Sequence, residues 1–162
     1  MLLAREGLTL IYGGGKVGLM GALAGAVHRH GGKVIGVIPH YLRRKEIAYE
    51  AADELIVTKD LRERKAVMEE RAGAFLSLPG GFGTLEEILE ILTLKQLRQH
   101  AKPVVFLNTA NFYAPLLDVF DHLYAHRFAK AGHREMYHVA AQPAEVFTHL
   151  KNFKPKRLPG KF

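Results

Sequence analysis

Two short runs in this chain, Val34-Ile35-Gly36-Val37-Ile38 and Val104-Val105-Phe106-Leu107, carry no polar side chain at all. A strand with one wet face alternates polar and apolar residues. A run without that alternation fits a strand covered on both sides, as in a parallel sheet between layers of helix. Around them the pattern predicts strands at 8–12, 33–38, 54–58, 74–78, 103–107 and 137–140. Between the first two, Met20, Leu23, Ala24 and Val27 recur at i, i+3, i+4 and i+7, the stripe of an amphipathic helix. Further helices are predicted over 60–72, 84–98, 112–126 and 143–150.

This repeated alternation of strand and helix implies an α/β fold, a doubly wound, mostly parallel, Rossmann-like sheet flanked by helices. At 162 residues the chain suits one domain, here 1–152, followed by a tail at 153–162. Lys154, Lys156, Arg157 and Lys161 with Pro155, Pro159 and Gly160 make that tail read as a solvated, disordered end. The formal net charge of +7 favours anionic partners, whether phosphate-bearing small molecules or nucleic acid. There is no cysteine, which excludes disulfides and thiolate chemistry. No run has the length of a signal peptide or a membrane span, so the expected compartment is the cytoplasm, with no membrane partner. Met1 to Gly7 reads as the last turn of a helix closed by a glycine cap.

Two glycine-rich loops follow strands. In the first, Gly13-Gly14-Gly15-Lys16-Val17-Gly18, the spacing Gly13-x-Gly15-x-x-Gly18 formally meets the dinucleotide fingerprint, making Gly13, Gly14 and Gly15 a candidate phosphate loop. The fingerprint also wants an acidic residue at the end of the next strand, and here that strand ends Ile38-Pro39-His40. Lys16 is followed by Val17, so this is not a Walker loop either. A tight strand-to-helix turn with close packing is the competing explanation.

The second loop, Pro79-Gly80-Gly81-Phe82-Gly83-Thr84, is the more specific signal. It stands at the carboxyl end of a strand, where open α/β sheets bind ligands. Consecutive glycine amides can cradle an anion with a helix dipole behind them, and Thr84 adds a hydroxyl. Thr84-x-x-Glu87 also fits a capping box, which by itself accounts for Glu87 without any function. In the helix at 60–72, Leu61, Arg64, Lys65 and Met68 share one face, which places Arg64 or Lys65 partly inward; the alternative is a long side chain reaching out to solvent.

Together, Tyr12-Gly13-Gly14-Gly15 with Val17-Gly18-Leu19-Met20-Gly21, then Glu63-Arg64-Lys65, then Pro79-Gly80-Gly81-x-Gly83-Thr84-x-x-Glu87 resemble the Lonely Guy family. Its members are nucleoside 5′-monophosphate phosphoribohydrolases that release cytokinin bases, and many bacterial members carry the older label lysine decarboxylase. The resemblance covers 2–150. It implies Arg64 and Glu87 as catalytic residues. It implies substrate binding by Glu46, Lys65, Gly80, Gly81, Phe82, Gly83, Thr84, Leu85, Glu86 and Thr93. The implied reaction is hydrolysis of the N-glycosidic bond of AMP or N6-prenylated AMP, with no cofactor and no metal. Pyridoxal chemistry would need a Schiff-base lysine and a carboxylate for the ring nitrogen, and the spacing of these lysines singles out none. His122 and His126 stand at i, i+4 but lack the glutamate of a zinc-hydrolase helix, and read as a surface pair.

The helix after the second loop carries Leu85, Ile88, Leu89, Ile91, Leu92, Leu94 and Leu97, more apolar surface than one sheet contact uses. A homodimer is therefore expected, and the resemblance implies the same. Two rival functions stay open: a carrier that binds a nucleotide-like ligand without cleaving it, as molybdenum-cofactor carriers of this general fold do, and a nucleic-acid binder using the basic tail. The chain also departs from the family at its start, where relatives have a strand, a glycine-serine loop and a helix. The expectation is an interrupted sheet, from a start lying upstream, a fragment or a degenerate member.

Overall fold

The computed structural model describes residues 2–45, 47–156 and 158. The binding position expected at Glu46 lies outside the described residues. The chain divides into two compact units, 1–72 and 73–162.

The first unit runs α1 (Leu2–Arg5), β1 (Leu10–Tyr12), α2 (Gly18–Arg29), β2 (Val34–Pro39), α3 (His40–Arg43), β3 (Glu54–Thr58) and α4 (Leu61–Arg71). Its strands pair in parallel in the order β1-β2-β3, with Leu10 opposite Val34 and Ile35 opposite Glu54. β2, the first of the two unbroken apolar runs, is the middle strand, and every one of its residues is buried. α1 closes as expected: Gly7 takes a φ of +65°, and the Leu8 N–H reaches the Leu3 carbonyl at 3.0 Å. α2 buries Ala24 and Val27 against Tyr12 and Val34. Met20, the first residue of its predicted stripe, is exposed.

α4 starts on a cap that the sequence reading assigned elsewhere. Asp60 Oδ1 accepts the Glu63 N–H at 2.9 Å, while Glu63 Oε2 accepts the Lys59 N–H at 2.6 Å. The two side chains thus satisfy donors that a helix start leaves open. On the predicted inward face Arg64, Lys65 and Met68 are half-buried as expected, while Leu61 at its start is exposed, a correction.

The second unit runs β4 (Phe75–Ser77), α5 (Phe82–Gln96), β5 (Val104–Leu107), a 3-10 turn at Thr109–Asn111, α6 (Ala114–Ala125), a second 3-10 turn at Ala131–Met136, β6 (His138–Ala140) and α7 (Pro143–Asn152). The strands are again parallel, in the order β4-β5-β6. The other unbroken apolar run, β5, is the middle strand and is buried throughout. Phe106 on β5 is the centre of an aromatic cluster, with the rings of Tyr113, Tyr137 and Phe120 at 5.1, 5.5 and 6.2 Å. Burying a side chain of this size contributes about 2–3 kcal/mol. Ile88 and Leu92 carry α5 onto the same core.

The chain is thus α/β, with parallel strands flanked by helices, as the alternating pattern predicts. The strands form two sheets of three, one in each unit, with β1 and β4 as edge strands, the interruption that the departure at the start of the chain leads one to expect. One described residue of the tail departs from the solvated end expected there. Leu158 is only 8% exposed and joins the core of the second unit, and Arg98 Nη2 donates to its carbonyl at 3.1 Å. An apolar side chain at that position draws the backbone inward where its basic neighbours suggested solvent. No helix is long and apolar enough to cross a membrane among the described residues.

Candidate active site

The loop after β4 is shaped by three side chains. Tyr113, nearly inaccessible, donates its hydroxyl proton to the Leu78 carbonyl at 2.5 Å and accepts one from Ser77 Oγ at 2.7 Å. Burial pushes the phenol of Tyr113 up, more than the Ser77 contact pulls it down, so it remains a donor. Its backbone N–H is held by Asn108 Oδ1 at 2.7 Å. The end of β4 is therefore fastened immediately before Pro79. Sequence reasoning missed Tyr113 and Ser77. The available signal was a tyrosine within an apolar stretch, since a buried phenol needs a polar partner.

The third side chain is Thr84, which lies over Gly80. A Cβ on Gly80 would stand 2.2 Å from Thr84 Oγ1 and 2.8 Å from its Cβ, so only glycine fits. The helix begins earlier than predicted: Gly81 is the N-cap and α5 starts at Phe82. Thr84 is the third helical residue and cannot cap. The capping box proposed for Thr84 and Glu87 is thus not formed, and that explanation of Glu87 falls away. The arrangement occurs instead at Asp60 and Glu63.

Gly81 and Gly83 differ from Gly80. A Cβ on either would meet nothing within 4 Å, and neither has a positive φ. Among the described residues, therefore, no contact requires a glycine at these two positions, although Gly81 as the N-cap suits glycine better than alanine. Phe82 between them is 92% exposed. Leu85 is half-buried, Glu86 is exposed, and Glu87 is half-buried one turn beyond Thr84. Thr93 stands nine residues further on, about 13 Å along the helix from Thr84. It is exposed, its hydroxyl bonds the Leu89 carbonyl at 2.8 Å, and it lines an apolar groove with Leu89, Phe120 and Tyr124. The structure does not group Thr93 with the loop.

In the first unit, Arg64 and Lys65 are both half-buried on α4. The Arg64 guanidinium lies against the first glycine loop: a Cβ on Gly13 would be 3.3 Å from Arg64 Nη1 and 3.5 Å from Met20 Sδ. Gly14 has a φ of +72°, and a Cβ there would come within 3.0 Å of Ile38 Cβ. The loop is also stitched to the segment after α3. The Tyr49 N–H meets Gly14 O at 2.8 Å, the Lys16 N–H meets Ile47 O at 2.7 Å, and the Tyr12 hydroxyl meets Gly15 O at 3.2 Å. Close packing and a positive φ thus account for Gly14, and Gly13 forms the seat of Arg64. His122 and His126 are both exposed, with ring centroids 4.2 Å apart.

A glycine-lined helix start at the carboxyl end of a parallel strand defines an α/β protein built to present backbone amides at a loop. The comparisons with known proteins agree with that class. A family model described as "Possible lysine decarboxylase" matches residues 20–150. A probable cytokinin riboside 5′-monophosphate phosphoribohydrolase of Oryza sativa subsp. japonica is 43% identical over 96% of this chain and 63% of its own length. A cytokinin riboside 5′-monophosphate phosphoribohydrolase of Arabidopsis thaliana is 42% identical over 94% of this chain and 67% of its own. The chain belongs to this family, the Lonely Guy family, and spans about two thirds of the length of these relatives. The molybdenum cofactor binding protein of Rippkaea orientalis shares the fold, with a TM-score of 0.69 over 93% of this chain and 80% of its own at 22% identity.

Proposed function

We propose that the chain hydrolyses the N-glycosidic bond of a nucleoside 5′-monophosphate, AMP or an N6-modified AMP, giving the free base and ribose 5-phosphate. The observation that carries this reading is the bare Gly83 inside the first turn of α5, with open space beside Gly81 as well. Glycine inside a helix costs stability relative to alanine, and at Gly83 no contact or dihedral accounts for it; Gly81, as the N-cap, stands where glycine is favoured over alanine. Open space beside both positions leaves room for a phosphate to approach the backbone amides. The relatives named as phosphoribohydrolases supply the reaction class.

In this reading the loop Gly80 to Thr84 grips the 5′-phosphate, so that binding energy far from the reacting bond positions it. Glu87 orients water and stabilises the positive charge that develops at the anomeric carbon as the base departs. The water oxygen bonds to that carbon, the bond to the base nitrogen breaks, and the base leaves with a proton. Arg64 fixes ribose or phosphate oxygens through its planar fork, and Gly13 lets the guanidinium lie where it does. Lys65 adds positive charge beside it.

Leu89 and Thr93 on α5 and Leu97 at its C-cap stand four apart on one exposed side. That stripe is the face we assign to a homodimer, so light scattering should return twice the monomer mass. The cytoplasm is the compartment that this chemistry suits. Incubating the purified chain with AMP and separating the products tests the function. Free adenine is expected; AMP bound and recovered intact would favour a carrier.

A further inference from the structure

A second cavity lies within the 73–162 unit, at the other end of its sheet from the glycine loop. It has a volume of about 870 Å³ and is bounded by the end of α5, the starts of β5 and β6, and the end of α7 with the chain beyond it. Val104 and His138, the first residues of β5 and β6, both line it. Since the strands are parallel, their starts share one edge, whereas Leu78 and Pro79 follow the end of β4 at the opposite edge.

The charge of this cavity is one-sided. Among the described residues, Lys95, Arg98, Lys154 and Lys156 line it against one carboxylate, Glu135, which Lys156 already meets at 3.0 Å. The imidazoles of His138 and His149 are stacked with centroids 4.1 Å apart. Met136, Phe153 and Leu158 supply an apolar wall.

Lys95 is the unusual member. It is only 4% exposed, its Nζ donates to the Lys102 carbonyl at 2.8 Å, and the ammonium stands 5.3 Å from the centre of the Phe153 ring. An ammonium has three protons to donate, and neither of these partners carries a negative charge. A buried cation without a counter-ion is costly. Burial accordingly lowers the amine to about 8. His149 is held below its ordinary value by burial first, then by His138 and by Lys95 itself. Closing the loop at Lys102 would explain one hydrogen bond, but not a cationic lining around an open cavity.

We propose that this cavity is a second ligand site, taking a phosphate or carboxylate carried on a small apolar or aromatic body, with Lys95 as the central counter-charge. Arg98 and Lys154 complete the grip on the anion, and Phe153, Met136 and Leu158 pack against the body. The site is separate from the glycine loop, although α5 touches both, its first turn at the loop and its last at the cavity. The inference does not depend on the hydrolase reading.

The test titrates phenyl phosphate into the full chain, with benzoate as the carboxylate counterpart and phenol as the neutral control, followed by calorimetry and by proton NMR of the histidines. At least one anion should bind and phenol should not. The midpoint of His149 should rise on binding, because the anion offsets the positive charge around it. Lys95→Met should weaken the anion about tenfold, the loss of one charge-assisted hydrogen bond. Lys154→Met should also weaken it while keeping the fold, since Lys154 is an exposed side chain of the lining. No binding of either anion, equal binding of phenol, a His149 midpoint that does not move on binding, or unchanged affinity in both folded variants would each overturn the proposal.

Discussion

Thr84 rests on Gly80 so closely that a single methyl group at Gly80 would lie 2.2 Å from the threonine hydroxyl. The contact ties the turn after β4 to the first turn of α5, while Tyr113 holds the same turn from beneath through the Leu78 carbonyl. Gly80→Ala should therefore force the turn open. A loss of about 1–3 kcal/mol in denaturant unfolding is expected, the usual effect of overpacking a tight contact. Unchanged stability would show that the turn has slack that this packing denies.

Gly83 should behave in the opposite way. Its Cβ position is empty and it sits inside a helix, so Gly83→Ala should stabilise the fold by up to about 1 kcal/mol. The same methyl would stand where a phosphate is proposed to approach. A rise in melting temperature together with weaker AMP binding is the expected pair of results. A variant that gains stability and binds AMP as before would remove the ligand from this position.

The sequence and the structure agree best where burial dictates pattern. The two runs free of polar side chains are the two middle strands, because only a strand flanked by neighbours and covered by helices can do without alternation. Agreement is poorer where two local patterns compete. Asp60-x-x-Glu63 and Thr84-x-x-Glu87 have the same spacing, yet only the first forms a cap, because α5 starts at Phe82 and takes Thr84 into the helix. The seat of Arg64 on Gly13 and the bond from Tyr113 to Leu78 join residues about 50 and 35 positions apart, and no local pattern announces such contacts. Leu61 was expected inward on the strength of its helical spacing, but a stripe shows which residues share a face and not which face is covered.

Gly13→Ala probes the seat directly. The added methyl would press on Arg64 Nη1 at 3.3 Å, close enough to displace a flexible guanidinium by a few tenths of an ångström. Stability should change little, since the side chain can move. Turnover of AMP should fall in the same sense as in Arg64→Lys, which loses the planar fork. Full turnover in both variants would take Arg64 out of the reaction.

The cap of α4 predicts a pH dependence. The Glu63 N–H holds the Asp60 carboxyl below its ordinary value. A depressed native value means that the stabilisation is fully present above the unfolded value, near about 4, and is lost as the pH falls through the native one. Asp60→Ala should therefore be less stable than the parent chain at neutral pH, and the difference should shrink in acid. A difference that is constant with pH would place the effect elsewhere.

The central claim concerns the carboxylate one turn beyond the amide loop. Glu87→Gln keeps the shape of that side chain and removes its charge, so the most direct measurement is adenine release from AMP by the two chains, with AMP affinity measured alongside. The account predicts that the parent chain releases adenine, while the glutamine variant binds AMP with similar affinity and releases none above background. A glutamine variant that turns AMP over at the parent rate would contradict it.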